Sequence, residues 1–286
     1  LRALLRQASR MIGDLKGNEF KVTIRNILLE EKELKKTIEE CFKQMQKGIA
    51  NYFGEQRFGG IREVTHIVGK KFIKKEFKEA VMFYLIHTNE REQEDISSAR
   101  KQLAETNDFQ KAVNAFPQKY RYERIILQHL CKYPNDFIGA FRKLPKSLQY
   151  MFVHAYQSFL FNKIIEERIR QGIGIQETKG DELIDGIPTA ALFGFESILP
   201  EGKIGKLEAK ILEEESIQLS EFLVKEFPEL SSKGARKKIA IIPEKLKLLE
   251  ISTDEFNENR LKAVISFSLD KGNYATTVLR EIMKND

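Results

Sequence analysis

A loop rich in glycine and aromatic residues, NYFGEQRFGG at 51–60, carries the side chains best suited to chemistry on a flexible ligand. Its glycines let the backbone approach a ligand closely. Phe53 and Phe58 offer flat faces on which a base can stack. The polar members that could bind a base edge or a phosphate are Asn51, Gln56 and Arg57. These are the components of single-stranded RNA recognition. The alternative is that both phenylalanines anchor a tight loop to the core.

Two further segments are weaker candidates. GDLKGNEF at 13–20 is a second glycine-rich loop, in which Asn18 could contact RNA but is better interpreted as a cap of the turn. HAYQSFLFN at 154–162 is aromatic, but aromatic residues at helical spacing are more often core than binding site. His154 alone is better explained as a satisfied helical histidine than as a catalyst.

Signatures of other enzyme classes do not occur in the sequence. It has no GxSxG, no Walker loop, no HExxH and no GxGxxG after a strand. The two cysteines, Cys41 and Cys131, lie in no CxxC pair, and the four histidines are scattered. We therefore expect neither a zinc site nor a disulfide framework, which is typical of an intracellular protein.

Composition sets the outer limits. The 286 residues are enough for two domains, and 42% apolar with 31% charged residues is ordinary globular composition. A net charge of +6 suits a polyanionic partner, although a solvated basic surface explains it equally well. No apolar run approaches the roughly 20 residues that span a bilayer. Leu1–Met11 carries three arginines without an apolar block, so no signal peptide is expected.

Hydrophobic periodicity predicts strands near both ends and helices between them. The predicted strands are 20–27, 63–68, 235–242 and 261–269, with a further short one within the loop 172–205. The predicted helices are 30–47, several pieces between 75 and 170, of which 147–171 is the longest, then 205–215, 219–226 and one after Gly272. This order favours an α+β domain formed from both termini and interrupted by a large helical insertion.

Four segments in this order resemble the TruD family of tRNA pseudouridine synthases. They are LKGNEFKVTIRNI, NYFGEQRFG, FVHAYQSFLFNKIIEERI and FSLDKGNYATTVLREI. REVTHIVGK and the helical middle are similar to archaeal members. The resemblance runs from about residue 10 to the end. It implies a mixed-sheet catalytic domain of the pseudouridine-synthase type at 1–77 and 258–286, interrupted by a mostly helical TRUD insertion domain at 78–257.

The resemblance also implies an activity, the isomerisation of uridine to pseudouridine, expected at position 13 of tRNA. The target nucleotide leaves its stack and enters a pocket. An aspartate attacks the nucleoside, the glycosidic bond breaks, the uracil turns, and its C5 atom rejoins the ribose. The family uses no metal or organic cofactor. We expect tRNA as the partner, a cytoplasmic location and a monomer.

The family's site residues carry over onto matching positions. Phe53 matches the phenylalanine that stacks on the uracil, and Asn51 of the same motif is expected to help order the pocket. The positions expected to contact RNA at or near the cleft are Asn18, Phe20, Gln56, Arg57, Phe58, Tyr274, Thr276 and Arg280.

The family's nucleophile lies in a GxKDxxAxTxQ motif upstream of GNxF, and that motif does not occur in this sequence. Asp14 matches a non-nucleophilic position. The aspartates that lack the flanking residues are Asp181, Asp185 and Asp270. The chain alone is therefore expected to be inactive. Three hypotheses remain: a synthase whose catalytic segment lies outside the sequence, a non-catalytic RNA-binding or RNA-chaperone relative, or a structural protein without an RNA partner.

Overall fold

The computed structural model describes residues 17–284. Asp14, the first part of the loop at 13–20 and the segment Leu1–Met11 lie outside the described residues. The chain divides into two compact units: unit 1 is Leu1–Asn51 with Ala240–Asp286, and unit 2 is Tyr52–Ile239. Unit 1 is thus built from both ends of the chain, and unit 2 is one continuous segment.

The elements are named here in chain order. The strands are β1 Gly17–Ile27, β2 Ile49–Ala50, β3 Leu183–Ile184, β4 Ile187–Leu192, β5 Ala235–Lys238, β6 Ala240–Ile241, β7 Glu244–Thr253 and β8 Leu261–Asp270. The α-helices are α1 Glu31–Met45, α2 Thr65–Ile73, α3 Phe77–Ile86, α4 Glu94–Thr106, α5 Phe109–Ala115, α6 Arg121–Lys132, α7 Phe137–Arg142, α8 Lys146–Arg170, α9 Gly202–Glu214 and α10 Ala275–Met283. Short 3-10 helices lie at Glu55–Phe58, Gly60–Arg62, Leu219–Phe222 and Pro228–Leu230.

Unit 1 is an antiparallel sheet in the order β1-β8-β7. Strands β2 and β6 form a separate two-stranded pair, also antiparallel. Helix α1 buries Leu34, Ile38, Phe42 and Met45, a spacing that puts one apolar stripe on the core. These side chains pack in one cluster with the inward residues of β8 and with Val278 of α10. The predicted strands and helices at both chain ends are confirmed.

Unit 1 also differs from the prediction in two places. Strand β1 begins at Gly17, so Asn18 lies within the strand and pairs with Leu269 instead of capping a turn. Strand β7 was not predicted. Its sequence, EKLKLLEIST, alternates lysine and leucine only over its first part, and its register against β8 shifts twice, which disturbs the alternation of apolar side chains.

Unit 2 consists of helices around α8 and a small sheet in the order β3-β4-β5. Helix α8 confirms the predicted long helix. Its buried residues include Phe152, Tyr156, Phe161 and Ile165. Residues are buried on several sides of this helix, so neighbouring elements enclose it. Gly69 of α2 permits close packing, because a Cβ there would meet the Phe152 carbonyl oxygen at 2.1 Å.

Three predicted elements in or next to unit 2 were wrong in type or extent. EVTHIV at 63–68 was predicted as a strand but enters helix α2, because Val64, Val68 and Phe72 share a helical face that is buried. The predicted helix 219–226 is a 3-10 helix of only four residues, which begins with a capping box. The predicted strand 235–242 is two strands, β5 and β6, that belong to different units.

The predicted α+β class is confirmed. All strand pairs within residues 17–284 are antiparallel, so no parallel pair of a mixed sheet is present in that range. The predicted functional domains, 1–77 with 258–286 and 78–257, remain a prediction. Within the described part of the chain, no helix combines the length and apolarity needed to cross a membrane.

Candidate active site

The loop that carries Phe53 is fixed to helix α8 through its backbone. The Phe53 N–H donates to Asn162 Oδ1 at 2.9 Å, and Asn162 Nδ2 donates to the Phe53 carbonyl oxygen at 2.9 Å. One amide side chain therefore satisfies both backbone groups of Phe53, as a neighbouring strand would. The 3-10 helix Glu55–Phe58 follows directly. Its last turn ends at Gly59, whose φ of 109° is accessible to glycine.

The Phe53 ring is half-buried between an aromatic neighbour and two cations. Its centroid lies 5.4 Å from that of Phe161 in an edge-on arrangement. The guanidinium carbon of Arg57 lies 5.6 Å from the same centroid, and Lys237 Nζ lies 5.2 Å from it. These distances are in the range of cation–π attraction. Two positive charges therefore lie next to the ring that is expected to stack on a base.

Phe53 and Arg57 border a cleft of about 440 Å³ within unit 2. Arg57 Nε donates to Ser158 Oγ at 3.0 Å, which ties the loop to α8 a second time. The other lining residues are His154, Gln157, Leu192, Ser231, Ser232, Lys233, Gly234 and Ala235. This lining contains no carboxylate, so the cleft suits an anionic ligand better than a cationic one.

Helix α8 places its polar side chains at this cleft by simple periodicity. His154, Ser158 and Asn162 are four residues apart and share one face of the helix. Ser158 Oγ also donates to the His154 carbonyl oxygen at 2.8 Å. Desolvation, with the positive charge of Arg57, lowers the pKa of His154. This segment was predicted to belong to the core, and Ser158 and Asn162 were not predicted as site residues. The signal that could have identified them is this row of polar side chains on one face of the helix.

Lys237 lies beside the cleft on strand β5. Its Nζ atom also lies 5.8 Å from the Phe161 ring centroid. Burial among these rings lowers the pKa of Lys237 to about 8. Lys237 was not predicted as a site residue, because nothing in the stretch ARKK distinguishes one basic residue from the next.

The remaining predicted residues of this loop lie apart from the cleft lining. Phe58 packs edge-on against His66, with 5.2 Å between ring centroids, and His66 stacks on Phe159 at 4.7 Å. Burial lowers the pKa of His66. Gln56 is exposed. The structure therefore brings Phe53 and Arg57 together, places Phe58 against a second aromatic group and leaves Gln56 facing solvent.

The predicted residues of unit 1 lie on β1, in the α10 segment and next to β2. Asn18 is the second residue of β1, at the end where β8 leads into α10, and it is exposed. Phe20 stacks on Phe267 at 5.4 Å between centroids. Three residues of the α10 segment were predicted to contact RNA. Tyr274, at the N-cap position, is half-buried, and Thr276 and Arg280 are exposed. Asn51 is buried and directly follows β2, which α10 contacts.

No group of three or more histidine, cysteine, aspartate or glutamate side chains in residues 17–284 is arranged to hold a metal ion. The features present are an aromatic ring, cations and amide or hydroxyl groups around a cleft. This is the chemistry of binding a base and its phosphates.

Comparison with known proteins defines the class. The family model of tRNA pseudouridine synthase D (TruD) matches residues 3–186 and 182–282. The chain belongs to this family, whose activity is the isomerisation of uridine to pseudouridine in tRNA.

Individual relatives agree. The chain is 40% identical over 277 residues to a probable tRNA pseudouridine synthase D of Methanopyrus kandleri, covering 96% of this chain and 66% of that protein. A probable tRNA pseudouridine synthase D of Methanosarcina acetivorans is 38% identical over 309 residues, covering 96% and 70%. The crystal structure of the putative enzyme from Methanosarcina mazei matches with a TM-score of 0.87 and 35% identity, over 96% of this chain and 70% of that one.

Proposed function

We propose that this chain provides the uracil-stacking part of a tRNA pseudouridine synthase site, with Phe53 as the stacking residue and the uridine at position 13 of tRNA as the target. The observation that carries the proposal is the Phe53 ring itself, held at a cleft without carboxylates by Asn162 and flanked by two cations. A ring fixed through its own backbone needs no reordering when a base arrives, which favours stacking.

The reaction requires a site that holds a detached uracil while it turns. The bond from N1 to the ribose C1′ breaks, and a bond from C5 to C1′ forms. The proton on C5 is released, and N1 ends protonated. Stacking on Phe53 restrains the uracil to its own plane but allows rotation within that plane. Asn51 is proposed to help order the pocket, and Arg57 to bind RNA beside it.

The proposal extends to the other predicted contacts. The positions proposed to bind RNA are Asn18, Phe20, Gln56, Phe58, Tyr274, Thr276 and Arg280. Exposed Asn18, Thr276 and Arg280 can reach a ligand without rearrangement, and half-buried Phe20 stacks on Phe267 of the neighbouring strand. We also propose that the protein is a monomer and acts in the cytoplasm.

Tritium release tests the function directly, because loss of the C5 proton is part of the reaction. tRNA labelled with tritium at C5 of uridine is incubated with the product of the complete reading frame, and a tRNA carrying cytidine at position 13 is the control. Release that requires uridine at position 13 is expected. Absence of release would contradict the proposal, and release that persists with the control tRNA would overturn the assignment of position 13.

A second candidate is a non-catalytic RNA-binding or RNA-chaperone relative. It is favoured by one specific observation: GxKDxxAxTxQ does not occur between Leu1 and Asp286. The same assay separates the two functions. Salt-dependent tRNA binding without tritium release by the product of the complete reading frame would support the second candidate.

A further inference from the structure

Lys237 is a half-buried cation that lies against aromatic rings and has no carboxylate partner within residues 17–284. The side chain is half-buried on strand β5, with Nζ 5.2 Å from the ring centroid of Phe53 and 5.8 Å from that of Phe161. Within residues 17–284 it forms no salt bridge, and burial is the single cause of its lowered pKa. A lysine removed from water in this way loses hydration that two aromatic rings replace only in part.

Two other buried cations of unit 2 bind carboxylates. Arg100 is fully buried and binds Glu92 and Glu123 at 3.3 and 3.1 Å. Arg168 binds Asp181 through two contacts of 2.6 and 3.0 Å. These carboxylates offset the desolvation of each guanidinium. The fold therefore pairs these two buried cations with carboxylates. Lys237 has no carboxylate partner within residues 17–284, so its ammonium can bind an external anion.

We propose that Lys237 is an RNA-binding residue of the stacking site: its ammonium binds a backbone phosphate next to the nucleotide whose base stacks on Phe53. The inference rests on the proposed function, since it takes Phe53 as the stacking residue. A phosphate would replace the lost hydration with a charge-assisted contact. The ring contact with Phe53 would place that phosphate within one nucleotide of the stacked base.

The charges around Lys237 support a phosphate. Arg57 is the other cation on the Phe53 ring. The flanking cations of β5 are already occupied, because Arg236 binds Glu208 and Lys238 binds Asp185. Burial lowers the pKa of Lys237 to about 8, so the amine is still mostly protonated at neutral pH. An arriving phosphate would favour the protonated form further.

The test is the salt dependence of tRNA binding by wild type, Lys237→Met and Lys238→Met. Methionine keeps the apolar stem of lysine and removes the charge. Lys238 is the matched control, because it is the next residue on the strand and its own charge is engaged by Asp185 at 2.7 Å. We expect Lys237→Met to weaken binding roughly tenfold and to reduce the slope of log Kd against log salt by roughly 0.7 to 1. Lys238→Met should change neither.

Lys237→Arg completes the test, because it restores a cation at the same position. Near-wild-type slope in Lys237→Arg, together with the reduced slope of Lys237→Met, would establish a phosphate contact. An unchanged slope in Lys237→Met would overturn the inference, even if turnover fell, because a residue that only supports the Phe53 ring contacts no phosphate. Failure of the wild type to bind tRNA in a salt-dependent manner would instead contradict the proposed function itself. A thermal melt of each variant confirms that it is folded.

Discussion

Arg236 and Lys237 are adjacent on strand β5, but Arg236 binds a buried carboxylate whereas Lys237 lies against aromatic rings. The guanidinium of Arg236 binds both oxygens of Glu208, at 2.9 and 3.0 Å, and donates to the Thr189 carbonyl oxygen at 2.8 Å. The ammonium of Lys237, on the other face of the strand, lies against two aromatic rings. Alternation along a strand makes this separation possible.

Arg236 is a cation that stabilises the fold, whereas Lys237 is a cation that we propose binds a ligand. Glu208 is fully buried and also accepts from the Ala191 N–H at 3.1 Å, so the Arg236 contact is part of a closed network. Lys237 has no such network within residues 17–284. Removal of the Arg236 charge should therefore lower the free energy of unfolding, and removal of the Lys237 charge should raise it. Only the second change should weaken RNA binding.

The largest expected effect is the loss of stability in Arg236→Met. Without Arg236, Glu208 is a buried carboxylate whose pKa is already raised by burial, and its remaining neighbours cannot neutralise it. We expect the free energy of unfolding to fall by roughly 3–5 kcal/mol. Chemical denaturation at pH 7 measures it.

The control for this variant is Lys238→Met, on the same face of the strand. Its partner Asp185 has a side chain that is 79% exposed, and such a pair contributes roughly 0–1 kcal/mol. Equal losses in the two variants would contradict the distinction between a buried and a surface pair.

The next effect has the opposite sign. Lys237→Met removes a cation that is disfavoured in the folded state, because its pKa falls from 10.5 to about 8 on folding. At 1.36 kcal/mol per pKa unit this corresponds to an increase in the free energy of unfolding of roughly 3 kcal/mol at pH 7. The same denaturation series measures it, and a loss of stability would mean that the aromatic contacts outweigh the lost hydration.

A pH series sharpens this prediction. Below the folded pKa of about 8, lysine is protonated in both states and the full cost of its burial is present. As pH rises from about 8 to 10.5, the folded protein loses the proton first, so the cost disappears. The wild type should therefore approach the stability of Lys237→Met across this interval. A difference that stays constant with pH would contradict the assignment to Lys237.

The contrast between these neighbours was beyond sequence analysis. The stretch ARKK presents equivalent basic residues, and strand alternation shows only that Arg236 and Lys237 face opposite ways. Their partners come from distant segments, Glu208 from α9 and the rings of Phe53 and Phe161 from the loop and α8. Tertiary structure alone determines which lysine or arginine receives a carboxylate.

Elements with strong local periodicity were predictable. Helices α1 and α8 and strand β8 confirm their predictions within a few residues. Strand β7 was missed because the adjacent Leu248 and Leu249 break its apolar alternation, and the 63–68 segment was misassigned because a few alternating residues fit either period. At the site, the motif at 51–60 was found from its residue types. Asn162 was not, since its role depends on a partner 109 positions away in the chain.

Phe53→Ala tests the stacking residue on which the comparison depends. Loss of the ring should cost roughly 1–3 kcal/mol of base stacking, or about a 5- to 150-fold fall in turnover. Tritium release by the product of the complete reading frame measures it. Phe256→Ala is the control, because it removes the same kind of ring at a position that is 77% exposed and does not line the cleft. Wild-type turnover in Phe53→Ala would rule out Phe53 as the stacking residue.

The smallest effect is expected for Asn162→Ala, which removes a positioning residue and leaves every charge in place. The N–H and carbonyl groups of Phe53 would lose their amide partner, at roughly 1 kcal/mol for each hydrogen bond, so we expect kcat to fall about 5- to 30-fold. The salt slope of tRNA binding should be unchanged, in contrast to Lys237→Met, since Asn162 carries no charge. The double variant with Phe53→Ala is the decisive measurement. If Asn162 acts only by holding the ring, its removal should lower turnover no further once the ring is gone, whereas additive losses would show a separate role in the cleft.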